Sequence, residues 1–203
     1  MRSLLFLLLA GAVMASPILA GPISGTAFTH AAVEAGFNLS GPGFEASSET
    51  GDWHSGPEFN CTAHLNDFCN FSVFIPTSDS FAGFFFGSSQ GTLNGVTANA
   101  LSGGLLFSGS VFVPAGYLGA LSAPVTVGGT ITGNQVDVVG GVIVSSTSLW
   151  SVNFLGTGTM TVATLVPGVL ANPSFSFVEV PEPAAFILMS GGLLLCFKAR
   201  PKS

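Results

Sequence analysis

Apolar and polar residues alternate along several short segments in the middle of the chain. In the segment 105–113, residues 105, 107, 111 and 113 are apolar, Ser108 and Ser110 are polar, and Pro114 follows. A period of two places successive side chains on opposite faces of a strand. The same pattern recurs in the segments 125–132, 150–154, 159–162 and 174–178. It predicts a series of strands that each turn one face toward a core.

The fold class follows from this pattern and from the glycine and proline residues that separate its segments. Glycine or proline recurs at intervals of roughly 8–15 residues, which is typical of many short strands joined by turns. No segment between residues 21 and 180 has a convincing helical period. We expect an all-β domain, with an antiparallel β-sandwich as its architecture. A jelly roll and a barrel with protected edges are the alternatives.

The N-terminal segment has the three parts of a secretory signal. Arg2 precedes an apolar run over residues 4–15, and Pro17 and small residues follow it. The run is shorter than the ~20 residues that a membrane-spanning helix needs. The pattern predicts a signal peptide over residues 1–20 that is cleaved after Ala20, with cleavage after Ala15 as the alternative. The competing interpretations are an uncleaved anchor and a buried helix.

A second apolar segment lies near the C-terminus. It covers residues 184–197, and the extended motif Val180-Pro181-Glu182-Pro183 precedes it. Proline disfavours helix and removes a backbone donor, so this motif should be accessible to a processing enzyme. The apolar segment is followed by the basic residues Lys198, Arg200 and Lys202. Under the positive-inside rule these cations stay in the cytoplasm and everything before residue 180 lies outside.

Residues 180–203 resemble the PEP-CTERM sorting signal of Gram-negative bacteria, because motif, apolar segment and basic end occur in that order on a chain with a secretion signal. The resemblance implies a substrate of a membrane-embedded exosortase. Such a protein is exported by the secretion machinery and held transiently in the inner membrane by its C-terminal helix. It is then processed at the motif and released to the cell surface or exopolysaccharide matrix. The tail has fewer basic residues than many members carry.

The region between the two ends is also similar to an uncharacterised group of exported domains that often precede such tails. The segments that carry this similarity are 37–44, the pair Cys61 and Cys69, 106–109, 123–129 and 155–159. The similarity implies a compact all-β module and brings no known activity. We therefore divide the chain into a signal peptide (1–20), an all-β exported domain (21–179) and a sorting segment (180–203).

Positive charge is confined to the ends of the chain. All four basic residues lie before residue 3 or after residue 197, whereas all ten carboxylates lie between them. Binding to nucleic acid requires basic side chains that displace counterions from phosphates. This distribution therefore excludes a nucleic acid as a partner.

Cys61 and Cys69 are the only cysteines between the two apolar ends. An exported chain folds in an oxidising compartment, so we expect them to form a disulfide. The alternative is a metal site completed by His54 or His64, since two thiolates supply only half of a tetrahedral shell.

Carboxylates concentrate between residues 45 and 67. Glu45, Glu49, Asp52 and Asp67 are weak candidates for a calcium site, because calcium prefers hard oxygen ligands. Their spacing fits no standard calcium loop, and the favoured interpretation is a solvated loop with no metal or other cofactor. The aromatic residues Trp150, Tyr117 and those within 81–86 could stack on sugars, but a sandwich core uses the same residues.

These observations lead to two functional hypotheses. The first is a structural or interaction protein of the cell surface or biofilm matrix, without enzymatic activity. The alternative is a secreted module that binds carbohydrate or calcium, with exopolysaccharide as the partner. A secreted hydrolase ranks third, because no serine lies in a recognisable nucleophile elbow.

Overall fold

The computed structural model describes residues 21–30, 34–51, 59–77, 79–81, 84–86, 88–140 and 142–180. These residues form thirteen β-strands and one 3₁₀-helix, Thr62–His64. The strands are β1 (Ser24–His30), β2 (Glu34–Gly41), β3 (Phe44–Gly51), β4 (Phe59–Asn60), β5 (Asp67–Pro76), β6 (Asp79–Phe81), β7 (Phe84–Phe86), β8 (Ser88–Leu93), β9 (Val96–Ala98), β10 (Ala100–Val113), β11 (Gly119–Val139), β12 (Val142–Val166) and β13 (Val169–Glu179).

All the strands belong to one sheet. Its hydrogen-bonded order is β5-β10-β11-β12-β13-β1-β2-β3-β8-β9, and the named strand pairs are antiparallel. The short strand β4 pairs with β13, and the hairpin of β6 and β7 is attached to β12. The expectation of an all-β antiparallel domain is confirmed. Its strands follow one continuous path, with β5 and β9 at the two ends.

The sheet folds over a single core. Phe107 on β10 stacks on Phe175 of β13 with ring centroids 4.2 Å apart, although β11 and β12 separate these two strands in the sheet. At the other side, the hydroxyl of Ser48 on β3 donates a hydrogen bond to the carbonyl oxygen of Thr77, just beyond β5. Distant parts of the path therefore face each other across the buried side chains.

The alternation that predicted the strands also predicts which side chains are buried. On β10, Leu105, Phe107, Val111 and Val113 are at most 1% exposed. Phe112, on the opposite face of the same strand, is 45% exposed. A strand that turns alternate residues to a core requires this pattern, and here it is confirmed.

The strand lengths differ from the expectation of many short strands. β11 has 21 residues and β12 has 25, and the predicted segments 150–154 and 159–162 both lie within β12. The glycines between those segments are part of the strand. At Gly158, a β-carbon would overlap the carbonyl oxygen of Ser176 and the side chain of Phe177 on β13. Glycine is required there by the close approach of the neighbouring strand and not by a turn.

The predicted targeting segments lie outside the described residues. These are the signal peptide 1–20 with its cleavage site at Ala20, and the part of the sorting segment from Pro181 onward. Within the described part of the chain, no helix is long and apolar enough to cross a membrane.

The contact between Gly133 and Trp150 makes a testable prediction. A methyl group at Gly133 would overlap the indole ring of Trp150, whereas at Gly128 of the same strand the nearest atom would be 3.7 Å away. Trp150 is itself fixed by an edge-on contact with Phe44 and by a hydrogen bond from Nε1 to the carbonyl oxygen of Val96. We expect Gly133→Ala to lower the free energy of unfolding by about 1–3 kcal/mol, as overpacking does.

The matched control is Gly128→Ala, which should be neutral or slightly stabilising because it restricts the unfolded chain. Urea unfolding of both variants under oxidising conditions measures the difference. Equal stability of the two variants would contradict the role assigned to Gly133.

Candidate functional site

The two domain cysteines form a disulfide. Cys61 and Cys69 are both buried, and their Cα atoms lie 5.8 Å apart. The bond ties the residue before the 3₁₀-helix to strand β5, and the amide of Cys61 also donates to the carbonyl oxygen of Gly168. In the chain-entropy model, closing a loop of this size stabilises the fold by about 2.5 kcal/mol. Neither sulfur can then act as a thiolate metal ligand.

The three described candidates for a calcium site, Glu45, Glu49 and Asp67, lie apart on the sheet. Glu45 and Glu49 are exposed on β3, four residues apart, a distance of about 13 Å along a strand. Asp67 begins β5, whereas the contact between β3 and β5 is made by Thr77 at the opposite end of β5. Ten residues of extended chain, about 33 Å, separate Asp67 from that contact.

The remaining candidate, Asp52, lies outside the described residues. Within the part of the chain that the structure describes, no three His, Cys, Asp or Glu side chains are placed to hold a metal ion. Asp67 instead accepts a hydrogen bond from the amide of Phe68 at 2.7 Å.

The aromatic candidates for sugar stacking are placed differently from one another. Trp150 is buried in the core beside Phe44, as the interpretation as a core residue predicted. Tyr117 lies in the connection between β10 and β11 and is 40% exposed, and its hydroxyl donates to the carbonyl oxygen of Ala120 on β11. In the segment 81–86, Phe81 ends β6 and Phe84–Phe86 form β7, and the side chains of this segment are outside the part of the chain that the structure describes.

A shallow polar groove of about 380 Å³ lies on the outer face of β2, β3, β8 and β9. Its polar side chains form two rows that cross the strands. One row consists of Asn38, Ser47 and Gln90 in register, and the next consists of Ser40, Glu45, Thr92 and Thr97. We call this surface the polar groove.

The polar groove follows from strand alternation. Leu39, Phe44 and Ala46 face the core, so their neighbours in sequence face outward into the groove. The hydroxyl oxygens of Thr92 and Thr97 lie 3.2 Å apart across the hairpin of β8 and β9. Amides, hydroxyls and one carboxylate can form many hydrogen bonds with a polar ligand, but none of the described groove residues is a cation.

Of the residues in this groove, only Glu45 was predicted as a candidate ligand from the sequence. The period-two spacing of Asn38 with Ser40, and of Gln90 with Thr92, could have shown that these residues share a strand face. It could not have shown that β3 and β8 are neighbours, since the end of one and the start of the other are separated by residues 52–87.

Comparisons with protein-family models, with curated proteins and with solved structures found no match to this chain.

The carboxylates of the domain provide a second prediction. No Lys or Arg occurs between residues 3 and 197, so their mutual repulsion is relieved only by solvent, salt, protons or metal. The melting temperature should therefore rise with ionic strength. Because the described carboxylates do not converge, calcium chloride and sodium chloride of equal ionic strength should raise it equally.

The double variant Glu45→Gln/Glu49→Gln serves as the control for this experiment and should keep equal responses to the two salts. Thermal melts by circular dichroism are sufficient. A larger shift with calcium than with magnesium or matched sodium chloride, lost in the double variant, would instead establish a calcium site on β3.

Proposed function

We propose that the protein is an exported cell-surface or matrix protein of a Gram-negative bacterium, sorted by an exosortase-type system, with a structural or interaction role and no enzymatic activity. The observation that carries this proposal is the order of features in residues 180–203. The motif from Val180 to Pro183 is followed by the apolar segment 184–197 and by Lys198, Arg200 and Lys202. The exosortase and the secretion machinery are its implied partners.

The geometry of the domain ends supports this proposal. β1 and β13 are neighbouring antiparallel strands, with Ser24 opposite Val178. Two hydrogen bonds join Ile23 and Glu179. The amide of Glu179 donates to the carbonyl oxygen of Ile23 at 2.7 Å, and the amide of Ile23 donates to the Glu179 carboxylate at 3.1 Å. The chain therefore enters and leaves the sheet at one place. Segments that precede residue 21 and follow residue 180 could both reach one membrane while the domain stays folded.

We propose that the folded sheet corresponds to a two-layer β-sandwich, of which a jelly roll is a variant, between a cleavable signal peptide and a transmembrane sorting helix. The packing of β10 against β13 supports two layers, because Phe107 contacts both Phe175 and Phe177 across the core.

Processing at both ends gives the third prediction. Mass spectrometry of the protein isolated from the surface or medium of producing cells should show an N-terminus near Gly21 and no peptide from residue 184 onward. The variant Pro181→Ala/Pro183→Ala should accumulate in the membrane fraction, because it lacks the extended backbone that processing requires.

A suitable control is Pro167→Ala, which changes a proline in the turn between β12 and β13, away from the sorting motif. It should be released like the wild type. Release of the double proline variant at the wild-type rate, or an intact tail on the surface protein, would refute processing at the motif.

The polar groove favours a second candidate function, carbohydrate binding. Its side chains combine amide and hydroxyl groups that can bond to sugar hydroxyls in both directions. The net charge of −6 opposes binding of acidic polymers, so a neutral glycan fits this surface best. In this candidate the domain would hold the protein in the exopolysaccharide.

Affinity electrophoresis tests this candidate. Migration of the wild type should be retarded in gels that contain a neutral β-glucan, and Asn38→Ala/Gln90→Ala should abolish the retardation. The control is Asn153→Ala, which removes an exposed amide on β12, outside the groove. Equal migration of the wild type with and without glucan would argue against this function.

A further inference from the structure

Strand β5 forms one edge of the sheet. In the described part of the sheet, β5 lies at the end of the strand order and pairs with β10 alone. The amide of Thr77 donates to the carbonyl oxygen of Gly103, in continuous register with the pairing of β5 and β10. Hydrogen-bonded and non-hydrogen-bonded pairs alternate along an antiparallel ladder. Odd-numbered residues of β5 therefore direct their backbone groups to β10, and even-numbered residues direct theirs away from the sheet.

The even-numbered residues are also exposed. Phe68, Asn70, Ser72 and Phe74 lie on the outer face, while Cys69, Phe71, Val73 and Ile75 face the core. The backbone amides of Asn70, Ser72 and Phe74 thus point along the open side of the strand, between side chains that are accessible to a partner. Phe68 and Phe74 are 58% and 59% exposed.

β5 lacks the usual features that protect an edge strand. It is ten residues long, it has no lysine, its only proline is its last residue, and its register with β10 shows no bulge. Native edges are commonly blocked by lysine, proline, bulges or short length. The opposite edge, β9, has only three residues, and the carbonyl oxygen of Val96 already accepts the indole N–H of Trp150. The two edges therefore differ in their capacity to add a strand.

The outer face of β5 is self-complementary. If a second β5 strand pairs antiparallel with the first and the two-fold axis passes at Phe71, Phe68 of one copy lies opposite Phe74 of the other. In the same register Asn70 lies opposite Ser72. The same register makes the even-numbered residues its hydrogen-bonded pairs, as their outward backbone groups require. A two-fold symmetric interface requires this arrangement, because every contact between residue i of one copy and residue j of the other is repeated between j and i.

The proposed register brings exposed apolar side chains together and keeps like charges apart. Phe68 packs edge-on against Phe112 of β10, with centroids 5.5 Å apart, and Phe74 lies opposite Leu106. In the paired register these two exposed clusters, from different copies, would become one. The single charge of β5, Asp67, would lie opposite Ile75 and away from its own copy.

We propose that a second copy of this chain pairs with the β5 edge, antiparallel and centred on Phe71, to form a two-fold symmetric dimer with one continuous sheet. The proposal concerns the described domain and holds whether or not the C-terminal tail is processed. It is therefore separable from the sorting proposal, which concerns the ends of the chain.

Sedimentation velocity over a range of concentrations tests the dimer, with the protein as isolated from producing cells under oxidising conditions. The wild type should be a dimer that dissociates on dilution. Ser72→Pro removes an outward amide and no bond to β10, and by symmetry it deletes two hydrogen bonds of the interface. It should raise the dissociation constant at least about tenfold. Ser72→Thr keeps the amide and should remain dimeric.

Asn70→Lys is the second variant, because it adds like charges beside the two-fold axis, and Asn70→Gln is its uncharged control. The circular dichroism spectrum and melting temperature of each variant report whether it is folded. If Ser72→Pro is unfolded, the comparison of Asn70→Lys with Asn70→Gln decides the question. A monomeric wild type at all concentrations, or a dimer that persists in the folded disruptive variant, would overturn the proposal.

Crosslinking tests the register. Directly opposed residues in a hydrogen-bonded pair have Cα atoms about 5.5 Å apart. A mixture of Asn70→Cys and Ser72→Cys proteins treated with a short bis-maleimide should form the mixed crosslink more efficiently than a mixture of Asn70→Cys and Thr126→Cys. Equal yields in the two mixtures would rule out this register.

Discussion

The burial of one face of a single curved sheet is the constraint on which the structure depends. Each long strand has one apolar face, and a flat sheet would leave that face in water. The sheet instead folds until Phe107 stacks on Phe175 and contacts Phe177, which in turn meets Phe154 edge-on at 5.4 Å. These four rings come from β10, β12 and β13 and join the two sides of the fold. The position of every outward-facing group, including the polar groove and the β5 edge, follows from this folding.

The sequence could predict which residues of a strand are buried, but not how far the strand extends. Alternation is local, so the inward set on β10 was readable from residues 105–113 alone. The residues next to a glycine in the sequence do not show whether it lies in a turn or inside a strand. Gly133 lies within β11 because the Trp150 ring occupies the space of its missing side chain, whereas Gly95, with φ of 83°, forms the turn between β8 and β9. Only the neighbour across the sheet distinguishes the two roles.

The candidate sites divide in the same way. The disulfide was predictable because Cys61 and Cys69 are close in sequence and have no competitor within the domain. Convergence of the carboxylates and assembly of the polar groove depend on which strands become neighbours. The topology pairs β3 with β8, which brings Glu45 beside Thr92, and it sets β3 against Thr77, ten residues from Asp67 at the other end of β5. That order is a property of the whole topology, and no spacing in the chain encodes it.

The absence of Lys and Arg from the domain also affects how its strand edges can be protected. Because no Lys lies between residues 3 and 197, the domain cannot block a strand edge with that residue, and protection must come from length, covering contacts or pairing. β9 is short, and its Val96 carbonyl is engaged by Trp150. β5 is ten residues long, and of its outward amides that of Phe68 is covered by the Asp67 carboxylate. The excess of carboxylates gives the molecule a net negative charge that opposes non-specific association. The two edges differ in length and in covering contacts, and charge does not favour β5, since β9 carries no charged residue and β5 carries Asp67. The proposed dimer uses the edge that is not protected by short length.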